Sequence, residues 1–278
     1  MGTAAKIGFA VVCASMNQQD RIGNAILEKA MKTLGSGDFR FFPLISRMED
    51  LTPELENALQ KLDGLIIQIA TGGTEHLIRP LCQKCTKPVL LLTSPNYNSL
   101  ASALEAYGKL KFQCKIDISW TDKEDDFQSA ERFAQVASIP ARLKGMKIAT
   151  FGAPSQWILT SENRRMLGDF GLNHHEIPVS ELLDKAAGFS VQQVQDAQRS
   201  WADRLPIITM PEKTIEMSFR IYLALSAYIE EKGFSAVTVR CFDLLEKSTT
   251  ACLALAMLNS QGITAGCEGD LQSLITMI

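Results

Sequence analysis

The segment Gly266-Cys267-Glu268-Gly269-Asp270 closes an apolar, strand-like run. Two carboxylates with one glycine between them can project into one cleft, and hard oxygen donors of this kind suit Mn2+ or Mg2+. An ion held there polarises a carbonyl and stabilises charge on an enediol oxygen, which is what an aldose-ketose interconversion requires. The same spacing fits a plain strand-end turn in which Asp270 caps the next helix. Thr71-Gly72-Gly73-Thr74-Glu75-His76 follows the apolar run 65–70. Its glycines permit a tight turn whose amides face a phosphate, a carboxylate or sugar hydroxyls. In the plainer alternative Thr74 caps a helix and His76 is an exposed helix residue rather than a base. Gly152-Ala153-Pro154-Ser155-Gln156-Trp157 sets an indole beside polar groups, either as a platform for a sugar face or as cover for an interface. Cys82-Gln83-Lys84-Cys85 has no second Cys or His pair at metal spacing and reads as two inert thiols. Neither a GxGxxG nor a P-loop pattern is present.

Short β-branched runs alternate with segments of helical period, the signature of βαβ units and parallel sheets covered on both faces. In the first half, strands are expected over 6–15, 39–46, 64–70, 88–94 and 114–120, with helices over 21–34, 53–62, 75–84, 99–111 and 127–143. A helix then ends at Lys144-Gly145 and a fresh strand begins, which divides the chain into domains 1–145 and 146–278. The second half predicts strands over 147–152, 174–179, 236–242 and 263–267 and a short apolar run at 205–209. Its helices are expected over 161–170, 180–187, 191–203, 211–232 and 249–259, with a last one beginning at Leu271. The fold class is α/β: two Rossmann-like, flavodoxin-like, doubly wound parallel-sheet domains. In such a sheet ligands lie beyond the carboxyl ends of the strands, where the three polar segments fall.

The formal net charge of -3, from 28 Lys+Arg against 31 Asp+Glu, gives no electrostatic reason to expect nucleic acid or an anionic membrane as partner. No apolar run approaches the roughly 20 residues that cross a bilayer. Lys6 and the run after it lead into polar residues without a convincing cleavage site, so no export signal is read. Seven cysteines, several of them inside apolar runs, read as reduced thiols, and a cytoplasmic location is expected.

The blocks 236–242 (AVTVRCF), 251–259 (ACLALAMLN) and 262–271 (GITAGCEGDL) together resemble the L-fucose isomerase and L-arabinose isomerase superfamily, above all its fucose-isomerase-like members. Thr71-Gly72-Gly73-Thr74-Glu75 and Pro154-Ser155-Gln156-Trp157 fit the same family. The resemblance implies a metal-dependent ketol isomerase, oligomeric and cytoplasmic, with two Rossmann-like domains followed by a third, β-rich one. It puts the family's first metal-binding glutamate, which also takes part in proton transfer, on Glu268. Substrate contacts are expected from Thr71, Gly72, Gly73, His76, Ser155, Trp157 and Asp270, and the substrate is expected to be a pentose or 6-deoxyhexose.

The family's second metal carboxylate and its metal histidine lie further downstream than Ile278, and none of His76, His174 and His175 stands in for the latter. Two of three protein ligands, and the third domain, are therefore expected to be missing. Mn2+ or another divalent cation belongs to the complete enzyme; this chain is expected to be inactive or incomplete, because a single glutamate does not hold a catalytic ion against water with useful affinity. The alternative is a non-catalytic sugar-binding or regulatory protein of the same fold. Leu271, Leu274, Ile275 and Ile278 share one helical face, and that face is expected to lie exposed for missing chain or a second subunit to cover.

Overall fold

The computed structural model describes residues 6–15, 19–35, 38–121, 127–159, 161, 164–204 and 211–278. The chain divides into two compact units, Met1–Arg142 and Leu143–Ile278. In the first, the elements run β1 (Ile7–Val12), α1 (Gln19–Leu34), β2 (Phe39–Phe41), α2 (Pro53–Leu59), β3 (Gly64–Ile69), α3 (Glu75–Lys84), β4 (Val89–Thr93), α4 (Ser99–Leu110), β5 (Ile116–Trp120) and α5 (Gln128–Leu143). The strands pair in the order β2-β1-β3-β4-β5, all parallel.

The period of two along the central strands explains both layers. Phe9 and Val11 of β1, Ile66 of β3 and Leu90 and Leu92 of β4 pack with Ile26 and Ala30 of α1 and with Ala130 and Ala134 of α5. The alternate residues Ala10, Val12, Leu65, Ile67 and Leu91 pack on the opposite face with Leu77, Ile78 and Leu81 of α3 and Ala103 and Ala106 of α4. Every residue of β1, β3 and β4 is buried, which is why these strands read as continuous apolar runs.

The second unit runs β6 (Lys147–Phe151), α6 (Arg165–Phe170), β7 (Asn173–Ile177), α7 (Val179–Ala187), α8 (Val191–Trp201), α9 (Glu212–Lys232), β8 (Ala236–Val239), α10 (Cys252–Ser260), β9 (Thr264–Cys267) and α11 (Leu271–Met277). Its strand order is β7-β6-β8-β9, again all parallel. The strand order reverses direction between β6 and β8, so the crevice of this unit opens above their carboxyl ends. The α9 helix stops at Gly233, whose φ of +69° lets its amide turn back to the Ile229 carbonyl at 2.9 Å. The α/β class with two parallel sheets flanked by helices is as the sequence predicts.

Several boundaries differ. The strand expected over 39–46 is only three residues long and continues as a single bridge between Val12 and Ile45. The strand expected over 236–242 ends at Val239, and Cys241–Lys247 winds into a 3-10 helix. The helix expected from residue 161 begins at Arg165, and the one expected from residue 249 begins at Cys252. The run 205–209 lies outside the described residues.

The expectation that the last helix leaves its apolar face exposed is overturned. Leu271 and Leu274 are fully buried and Ile275 nearly so, in a cluster with Ile148 of β6 and Ala236 of β8, and of the helix's apolar residues only Met277 and Ile278 at the end reach solvent. Spacing alone identifies an apolar face without saying that the fold already holds a partner for it.

Candidate functional site

The site is built where the chain leaves β6, β8 and β9. After β6 the backbone turns at Gly152, with φ +91°; a Cβ there would lie 2.9 Å from the Arg240 Cβ and 2.9 Å from a Val179 methyl. Only glycine combines that conformation with so close an approach. The turn carries Ser155 and Trp157 over the sheet edge. After β9 the chain enters Glu268 and Gly269 with φ of +63° and +65°, both in the left-handed region. For a glutamate this conformation costs about 1–2 kcal/mol.

Contacts from the first loop offset that cost. The Ser155 amide donates to the Glu268 carbonyl at 3.3 Å, and the Ser155 hydroxyl lies 2.5 Å from the same oxygen and 3.2 Å from Glu268 Oε2. A hydroxyl has one proton, so the shorter contact to the carbonyl takes it. Ser155 is fully buried, and its own carbonyl accepts from the Ser161 hydroxyl at 2.7 Å. Trp157 Nε1 donates to Glu268 Oε2 at 3.3 Å, and the thiol of Cys267 lies 3.6 Å from Oε1. The half-buried Glu268 carboxylate is thus aimed by an indole N–H and steadied by a serine.

The loop after β8 supplies the third wall. The Arg240 guanidinium lies over the Trp157 ring, 5.2 Å from its centroid, and its Nε is 3.0 Å from Asp243 Oδ1. This is an ion pair by distance whose N–H is not aimed along the contact. Phe242 meets Trp157 edge-on at 5.4 Å, and both rings are about half exposed. Together they offer the apolar faces on which the C–H side of a sugar stacks, beside a fixed carboxylate.

Not every expected residue joins this cluster. Asp270 is nine-tenths buried and faces α11, not the crevice. Its carboxylate accepts from the Ser273 amide at 3.0 Å and the Ser273 hydroxyl at 2.7 Å, a helix cap. Thr71, Gly72, Gly73 and His76 belong to the first unit. The buried Thr71 hydroxyl accepts from the Ala14 amide at 2.8 Å and ties the loops after β1 and β3 together. The Gly72 amide donates to the Tyr97 carbonyl at 2.7 Å, and a Cβ at Gly72 would come within 2.9 Å of the Asn98 carbonyl oxygen. Gly73, at φ +76°, is exposed. His76 is exposed on α3 and lines a cleft of about 430 Å3 with Glu75, Arg79, Glu105 and Lys109. Cys82 and Cys85 are buried, and burial pushes both thiols up, as suits inert packing groups.

Arg240, Phe242 and Asp243 are functional candidates that residue patterns did not single out. Arg240 is the one charged residue of the β-prone run 236–242, a hint of the strand's end that spacing alone does not decide.

No family model matches this chain. It aligns at 25% identity over 187 residues with the sulfoquinovose isomerase of Clostridium sp. (strain MSTE9), covering 64% of this chain and 41% of that protein. The chain is similar to a sugar isomerase. It spans less than half of that relative's length. A glucose-galactose binding protein, GanP from Geobacillus stearothermophilus, aligns over 92% of this chain and 91% of its own at 13% identity with a TM-score of 0.24, too low to indicate a shared arrangement.

A divalent ion needs several donors at once. Among the described residues no three His, Cys, Asp or Glu side chains converge, and Asp270 is committed to its cap. The donor set around Glu268 therefore does not fit such an ion unaided. None of the described helices is long and apolar enough to cross a membrane.

Proposed function

We propose that the crevice above β6, β8 and β9 binds a small sugar and that the chain takes part in aldose-ketose isomerisation, with Glu268 moving the proton between C1 and C2. The observation that carries this reading is the half-buried Glu268 carboxylate, gripped by Ser155 and Trp157 beside two half-exposed aromatic rings. In this reading the Trp157 and Phe242 faces take the apolar side of the open-chain sugar. Glu268 Oε1, which does not take the Trp157 N–H and meets only the Cys267 thiol at 3.6 Å, abstracts the C2 proton and returns it to C1 through an enediol, while the O2 proton passes to O1. Arg240 and Asp243 bond sugar hydroxyls at the rim. The similarity to a sugar isomerase supports the reaction class. Glu268 as a metal ligand needs at least two further donors from outside the described residues, so the proton steps are assigned here to the chain's own carboxylate.

A second reading, sugar binding without turnover, is favoured by that donor set. Titration against pentoses, 6-deoxyhexoses and sulfoquinovose, read by calorimetry and by Trp157 fluorescence, tests the binding shared by both readings. Proton NMR of the same mixtures, with and without added Mn2+, reports the ketose. Binding with conversion is the expected result. Binding alone leaves the second reading, and no binding to any of the sugars removes both.

A further inference from the structure

Two cysteines face one another at the edge of the crevice. Cys241 opens the 3-10 turn after β8, Cys267 ends β9, and their sulfurs lie 3.2 Å apart with no bond between them. A disulfide bond needs the sulfurs to close by only about 1.2 Å. The neighbouring strands already hold the two positions side by side, with Val239 of β8 in register with Cys267. The pair is also asymmetric. Cys267 is exposed, whereas Cys241 is buried, with 5% of its surface exposed.

We infer that Cys241 and Cys267 are a reversible disulfide site, in which Cys267 is the entry thiol and Cys241 the resolving one. With a low-molecular-weight disulfide as oxidant, the Cys267 thiolate attacks one oxidant sulfur; the oxidant's S–S bond breaks and one thiol leaves. The Cys241 thiolate then attacks the Cys267 sulfur, the mixed disulfide breaks, and the second thiol leaves. The protein gives up two protons and two electrons, and the oxidant is reduced to two thiols.

The bond would join the two limbs that hold Trp157. Cys241 follows Arg240, which lies over the Trp157 ring, and Cys267 precedes Glu268, which accepts the Trp157 N–H. Oxidation therefore changes the surroundings of Trp157 and of the Glu268 carboxylate. The site requires no sugar and no turnover, so it stands or falls separately from the isomerase reading.

The full chain is incubated with glutathione disulfide, then examined by intact mass, peptide mapping and tryptophan emission. The expected result is a loss of the mass of two hydrogens, a cross-linked Cys241–Cys267 peptide, and an emission shift that dithiothreitol reverses and Trp157→Phe abolishes. Cys252→Ser should behave as wild type. Cys241→Ala should trap one glutathione on Cys267, and Cys267→Ala should give neither product. A persistent glutathione adduct on wild-type Cys267, a cross-link between other cysteines, or no reaction overturns the inference. The wild-type peptide map decides it even where an alanine variant folds poorly.

Discussion

Glu268 stands in a conformation that glutamate rarely adopts, and the groups that hold it there are the groups that aim its carboxylate. Strain of this kind persists where the surroundings over-determine a residue, and it gathers at working sites. The same scale governs His174. Its Nε2 lies 2.9 Å from the Thr150 hydroxyl, and desolvation is the main reason its pKa falls below the ordinary 6.5, against the opposing pull of Glu176. A depressed histidine favours the folded state while neutral. Its contribution is present above pH 6.5 and is lost as the pH falls through the lower folded value. Thermal denaturation between pH 7.5 and pH 5 should therefore show a steeper loss of stability in wild type than in His174→Gln. Equal slopes would remove the effect from this residue.

At the scale of elements, two turns carry the site and the last helix. Gly152→Ala puts a Cβ against Arg240 and Val179 at a φ of +91°, and should cost about 1–3 kcal/mol in chemical denaturation while weakening sugar binding. Asp270→Ala removes the cap of α11 and should cost about 1 kcal/mol, with little effect on sugar affinity. A loss of affinity without a loss of stability in Asp270→Ala would return that carboxylate to the crevice. The element types were legible because buried strands such as β3 and β4 announce themselves as apolar runs between helical periods. The end of β8 was not. Ala236-Val237-Thr238-Val239 and Arg240-Cys241-Phe242 form one β-prone stretch, and only the fold shows that the chain leaves the sheet after Val239, where Arg240 turns over Trp157. The Asp270 carboxylate was equally ambiguous, since spacing fits both a cleft and a cap. The Ser273 amide resolves it.

For the whole molecule, each unit owns its core: the two faces of the five-stranded sheet in one, and the cluster around Phe151, Phe219, Val237 and Leu258 in the other. A fragment ending at Arg142 should therefore fold alone, with an α/β circular-dichroism spectrum and a cooperative melt; a non-cooperative melt would contradict separate cores. The pairing of Glu268 with Ser155 and Trp157 spans more than a hundred residues of sequence, which is why residue types could nominate these positions while only the parallel sheet brings them together. The role proposed for Glu268 is to move a proton on a bound sugar. Its most direct measurement is the exchange of the C2 hydrogen of a bound aldose with solvent deuterium, followed by NMR for the wild type and for Glu268→Gln. Exchange is expected in the wild type, with a loss of at least about 100-fold in Glu268→Gln and sugar affinity retained. Equal exchange in the two proteins, or a bound aldose whose C2 hydrogen never exchanges in the wild type, would contradict it.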